Sequence, residues 1–258
     1  MKIEHFTQIN GLTNTTMTNP LPFIMLCLVL APTSDAQNNA AEQPTIAQKV
    51  VAMPTVGNVL TNYINAIGGT AAWEKVISQW AKGTYANDQM GPGSHVLEVY
   101  KKAPDKWIFT IRDPDGSVFK QGFNGKHGWN ESGELEPDQV ALFGHLLSLR
   151  CGIDLPRFLP TMRFLEQSKV GNSNAFVIAA TIIEGKPEKL YFDTSSGLLI
   201  QEDFGAASLY YEDYREVDGV KVAFGIRQEG SPSWTIRFKE IKHNLPIEDS
   251  KFDRPKSH

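Results

Sequence analysis

Apolar residues recur at helical spacing over residues 56–67, and from residue 79 onward they alternate with polar ones. That change of period organises the chain. Val56, Val59, Leu60, Tyr63, Ile64 and Ile67 follow Pro54-Thr55 and stop at Gly68-Gly69. This predicts one amphipathic helix of about three turns. Thr70 is a candidate cap for a short second helix carrying Trp73, Val76 and Ile77. Strands are then predicted at Gln79 to Ala86 and Ser94 to Lys101, joined by Gly91-Pro92-Gly93. A third has Trp107, Phe109 and Ile111 on one face and ends at Asp113-Pro114-Asp115-Gly116. Val118 to Phe123 is a fourth, with Asn124-Gly125 as its turn and Lys126 to Asn130 as a short return.

Pro137 to Arg150 interrupts the strands. Val140, Phe143, Leu146 and Leu147 take helical positions, and Leu142 and Leu149 widen the stripe. A helix this apolar between two blocks of strands fits a plug or lid on a concave sheet face; a helix covering a sheet edge is the alternative. Gly152 to Pro160 reads as an irregular connection. Strands resume at Arg163 to Val170 and at Ala175 to Ile183, the latter so apolar that both its faces must be dry.

From Glu188 to Asn244 the chain is a meander of β-branched and aromatic strands, punctuated by Ser196-Gly197, Asp218-Gly219 and Gly230 to Ser233. Asp218-Gly219 between Val217 and Val220 is a strong two-residue hairpin signal, because such a turn needs positive φ. Phe252 and Pro255 are placed to staple the C-terminus. About eleven strands in one chain favour a barrel or strongly curled antiparallel sheet, so the class is mainly β within α+β.

The 258 residues carry a net charge of −4 with basic residues dispersed, which gives no footprint for nucleic acid. Leu21 to Ala31 is strongly apolar but short of the roughly 20 residues that span a bilayer. With Ser34-Asp35-Ala36 behind it, it reads as a secretory leader (residues 1–36) cleaved after Ala36, and export to the periplasm is expected. Met17 is an alternative start. Residues 37–54 read as a flexible linker, and 55–258 as a single domain. Cleavage leaves Cys151 alone at the end of an apolar helix, where a structural thiol is expected.

Catalytic patterns are missing. His95, His127, His145, His243 and His258 are scattered, without metal-site spacing, and no nucleophile elbow is present. His127 near Asp115 or Glu131 imitates a base and its orienter, but a solvated hairpin histidine explains it. Glu212-Asp213, Glu216 and Asp218 among tyrosines read as a charged outer strand face. No catalysis, cofactor or metal is expected.

The succession of helix, Gly-Gly and second helix, then KAPDKWIF, GFNGKHGW, KLYFDTSSGLLI and YYEDYREVDGVKV, resembles the outer-membrane lipoprotein-sorting proteins, the LolA/LolB-like superfamily, and within it an uncharacterised secreted branch. The resemblance covers about Thr55 to Pro255. It implies a half-open antiparallel β-barrel, helices plugging the open side, and a hydrophobic cavity. Side chains expected to line that cavity are Leu97, Val99, Trp107, Phe109, Ile111, Phe123, Trp129, Leu142, Leu146, Ile178, Leu190 and Phe192; taken singly each suits plain core better, and it is the large sheet with its inserted apolar helix that favours a cavity. The expected function is binding or carriage of a lipid or lipidated protein by a monomer, with transient contact to outer- or inner-membrane components. The alternative is an envelope sensor or protein-docking module with a packed interior.

Overall fold

The structure, a computed structural model, describes residues 53–88, 93–182, 185 and 187–255. The expected leader, its cleavage site, most of the linker, the Gly91-Pro92 part of the first turn, Ile183 and His258 lie outside the described residues. Helix α1 (Val56–Ala66) is opened by Thr55, whose side chain accepts from the Asn58 backbone N–H at 3.1 Å, while Asn58 Oδ1 accepts from the Thr55 backbone N–H at 3.2 Å. Val59, Tyr63 and Ile67 face inward at spacing i, i+4, i+8. Gly68 ends the run at φ 112°, and a Cβ there would lie 2.6 Å from the Gly219 carbonyl oxygen. Helix α2 (Thr70–Glu74) takes Gly69 as its N-cap with no side-chain cap bond. Thr70 is therefore its first residue rather than its cap, and Val76 and Ile77 lie beyond it.

Twelve strands follow among the described residues, against an expected count of about eleven. The first block is β1 (Ser78–Asn87), β2 (His95–Lys102), β3 (Lys106–Arg112), β4 (Val118–Phe123) and β5 (Gly128–Asn130). The second is β6 (Thr161–Val170), β7 (Ser173–Thr181), β8 (Pro187–Asp193), β9 (Leu199–Asp203), β10 (Ala207–Val217), β11 (Val220–Gly230) and β12 (Trp234–His243). Every pairing is antiparallel and the order is β5-β4-β3-β2-β1-β12-β11-β10-β9-β8-β7-β6. Two meanders thus meet where β1 pairs with β12, and the curled sheet stays unclosed between β5 and β6. Those two edges are consecutive in the chain. The segment joining them carries α3 (Pro137–Leu147) and α4 (Leu155–Phe158), so the helices belong to the seam by connectivity alone.

The Asp218-Gly219 turn has φ 52° and 82° and pairs Val217 with Val220, as its sequence requires. Helix α3 begins with Pro137, and the Glu136 backbone N–H donates to Gln139 Oε1 at 3.0 Å. It ends at Leu147, three residues before the expected end, and the next residue, Ser148, has ψ 144°. One turn of α4 lies inside the connection expected to be irregular, with Pro156 in its first turn.

Core packing divides in two beneath the helices. One cluster joins α1 and α2 to Ile178, Leu190 and Phe192 of β7 and β8. The other joins β1–β4 to β11 and β12 through Ala81, Tyr85, Phe109 and Ile241. Helix α3 touches both, Leu142 in the first and Phe143 in the second. On β7, Ala175 and Val177 are as fully buried as Ile178 and Ala180 across the strand, so both faces are dry.

Candidate functional site

Between α3 and the inner sheet face lies a cavity of about 230 Å³. Leu97 and Val99 on β2, with Phe109 and Ile111 on β3, form one wall, because alternate residues of paired strands share a face. Val222, Ile226, Ile236 and Phe238 on β11 and β12 form the opposite wall. Phe143, Leu146 and Leu147 of α3 make the roof, and Tyr63, Ile67 and Trp73 close one end. Asp213, at φ 53°, breaks the alternation of β10, and Tyr211 and Tyr214, three apart, both line the cavity.

Of the side chains expected in a cavity, Leu97, Val99, Phe109, Ile111 and Leu146 line this one. Trp107 and Phe123 share its inner face but are taken up in packing, with the Trp107 ring 5.8 Å from that of Phe143. Leu142, Ile178, Leu190 and Phe192 belong to the cluster under α1, where Phe192 meets Tyr63 edge-on at 5.2 Å. Trp129 lies elsewhere, with Ile108, Tyr100 and Phe252, and its indole N–H donates to the Phe252 carbonyl at 2.8 Å. Ile108 alternates with the inward Trp107 and Phe109, so this cluster occupies the opposite sheet face, and Phe252 staples the C-terminus there.

The walls carry few polar groups. Burial raises the Tyr63 hydroxyl well above its ordinary pKa and pushes Tyr85 up to about 12, as expected where a phenolate would be unsolvated. Burial also raises the Cys151 thiol where it lines the cavity, which favours its protonated form. His127 is exposed in the β4–β5 turn. Two acidic residues of β10 form surface pairs, Glu212 with Arg237 at 2.9 Å and Asp213 with Arg215 at 2.6 Å.

One buried polar group was not anticipated. His145 of α3 turns toward the sheet and places Nε2 3.3 Å from Glu188 Oε1 on β8 and 3.6 Å from Glu202 Oε1 on β9. The Tyr211 hydroxyl donates to Glu202 Oε2 at 2.9 Å. Burial pushes the Glu202 carboxyl up to about 7, against the attraction of His145 and with the repulsion of Glu188. Burial disfavours the His145 cation, but Glu202 and Glu188 outweigh it and hold the imidazole above its ordinary value. The donor atoms of the three residues lie within 4.8 Å of one another, a spacing that also suits a divalent ion. As the residues stand, they tie the roof helix to two strands. The signal was present in the alternation: Glu188, Leu190 and Phe192 share a strand face, as do Leu97, Val99 and Lys101.

No family model matches the sequence, and no curated protein is similar enough to match. Solved structures do match. A LolA superfamily protein from Nitrosomonas europaea superposes with a TM-score of 0.57 at 13% identity, over 78% of this chain and 99% of that one. An outer membrane lipoprotein-sorting protein domain from Vibrio parahaemolyticus superposes with a TM-score of 0.55 at 9% identity, over 76% and 94%. At such identities the likeness concerns architecture. This chain has the LolA-like fold, one antiparallel sheet curled into an open barrel about a helical plug.

Proposed function

We propose that this protein binds a lipid or the lipid moiety of a lipidated protein, without catalysis, holding an acyl chain in the interior cavity. The observation that carries this reading is an apolar cavity roofed by α3, a helix in the segment that connects the two free edges of the sheet. Burial of apolar surface contributes about 25 cal/mol per Å². Each methylene of a buried chain is worth about 0.8 kcal/mol, so a short stretch gives useful affinity. At about 230 Å³ the cavity is smaller than the roughly 300–1,000 Å³ that accommodates drug-sized ligands. A longer chain therefore requires α3 to lift. Export to the periplasm, action as a monomer and transient contact with a membrane belong to the same reading. The export part is supported by the apolar run Leu21 to Ala31 and the small residues behind it.

Native mass spectrometry of the purified protein, with organic extraction of any adduct, tests the proposal. A co-purifying acyl species, or uptake of a fluorescent fatty-acid probe, is expected. A bare mass with no uptake overturns it and leaves the fold to a protein-docking role.

A further inference from the structure

We infer that the cavity takes an anionic amphiphile, with its acidic head group paired to the Lys101 ammonium and its chain among the apolar walls. This rests on the lipid-binding reading and narrows it to a ligand class.

Lys101 stands on β2 opposite Gln79 of β1 and Trp107 of β3. It follows Leu97 and Val99 at two-residue steps, so the strand alternation points it inward with them, and it lines the cavity. No carboxylate among the described residues pairs with it. Glu188 and Glu202 are engaged with His145 and Tyr211. Its titratable neighbour on the cavity wall is Cys151; burial raises that thiol against the pull of the Lys101 charge, and burial lowers the His243 imidazole. A lysine cation in apolar surroundings is costly unless an anion meets it or it gives up its proton. Consistently, burial lowers the Lys101 amine below its ordinary value.

A half-buried amine with no carboxylate beside it, at the boundary of a greasy cavity, is a poor device for stability. It is a good one for recognition. A carboxylate or phosphate arriving on an acyl chain restores the missing counter-charge where water is scarce and the pairing is strong. A neutral chain of equal length gains the walls alone.

The test is displacement of a fluorescent acyl probe by decanoate, decyl phosphate and decanol, on the native protein, Lys101→Met and Lys101→Arg. Decanoate or decyl phosphate is expected to bind the native protein about tenfold or more tighter than decanol. Lys101→Met should erase that margin while leaving decanol unchanged, and Lys101→Arg should keep much of it. Whichever acid shows the larger margin identifies carboxylate or phosphate as the head group. Equal binding of all three chains to native protein and Lys101→Met overturns the head-group inference while the acyl cavity stands. Failure of every chain to displace or bind overturns both.

Discussion

His145 Nε2 stands 3.3 Å from Glu188 Oε1, joining the roof helix to the sheet through two side chains closed to solvent. The separation is longer than the roughly 2.7–2.9 Å of a charge-assisted hydrogen bond at its best. Oε2 of Glu188 and Nδ1 of His145 find no partner. The contact therefore holds α3 in place without satisfying every group it buries.

Removing one member should expose that cost. His145→Ala leaves two carboxylates side by side in the interior, and breaking a buried pair in this way costs about 3–5 kcal/mol. Urea unfolding should show the drop. The double variant His145→Leu with Glu188→Leu should recover a large part of it, because the unmatched charge leaves together with its partner.

The same contact sets a pH dependence. Glu202 titrates near 7 when folded, against 4.5 ordinarily, so between those values the folded protein holds a proton that the unfolded chain has released. Stability linked to this group is fully present below about 4.5 and declines as pH rises toward 7. His145, also raised, adds a decline of the same sign above 6.5. Melting temperature should fall across this interval, and Glu202→Gln should flatten the part of the decline below pH 6.5. A native profile that rises with pH over the same interval would contradict the assignment.

Movement of α3 can be tested by a bond between the helix and the edge strand β5. A Cβ at Gly128 on β5 would lie 2.6 Å from Cγ2 of Val140 on α3. Cysteines at these two positions, in a Cys151→Ser background, fall near the Cβ separation of about 3.5–4.5 Å that a disulfide uses. Oxidation should slow probe uptake at least tenfold, and reduction should restore it. Unchanged uptake by the oxidised form would mean that ligand enters without the helix lifting.

Val99→Phe projects a ring from β2 into the cavity. Probe affinity should fall strongly while stability changes by no more than about 1–3 kcal/mol, the range for an overpacked site. An unaltered affinity would locate the ligand outside this cavity.

Gly68→Ala addresses the frame rather than the site. The new Cβ meets the Gly219 carbonyl at 2.6 Å in a left-handed backbone with φ 112°. A loss of about 1–3 kcal/mol is expected from chemical unfolding. Probe affinity measured well below the melting temperature should be retained.

Local features of this fold are legible in the residues. The α1 stripe, the Asp218-Gly219 hairpin and the inward run of Leu97, Val99, Phe109 and Ile111 follow from periods of 3.6 and 2. What the periods cannot supply is closure. Nothing local says that β1 pairs with β12, and that pairing brings Ile236 and Phe238 opposite Val99 and Phe109. Alternation names the inner face but not which stretch of it stays unfilled, since α3 consumes Trp107 and leaves its neighbours free. β5 has three residues, too few to show a period, and Trp129 went to the other face. Glu188 and Lys101 are legible in the alternation as inward polar residues, but alternation does not say what each of them meets.

The unclosed seam between β5 and β6 has a mechanical meaning. Widening a fully closed barrel would break a ladder of backbone hydrogen bonds somewhere around its circumference. Here no ladder joins β5 to β6, so the vessel can swell along one line while eleven ladders stay intact. Capacity in such a container is set by how far its stopper shifts rather than by its volume at rest.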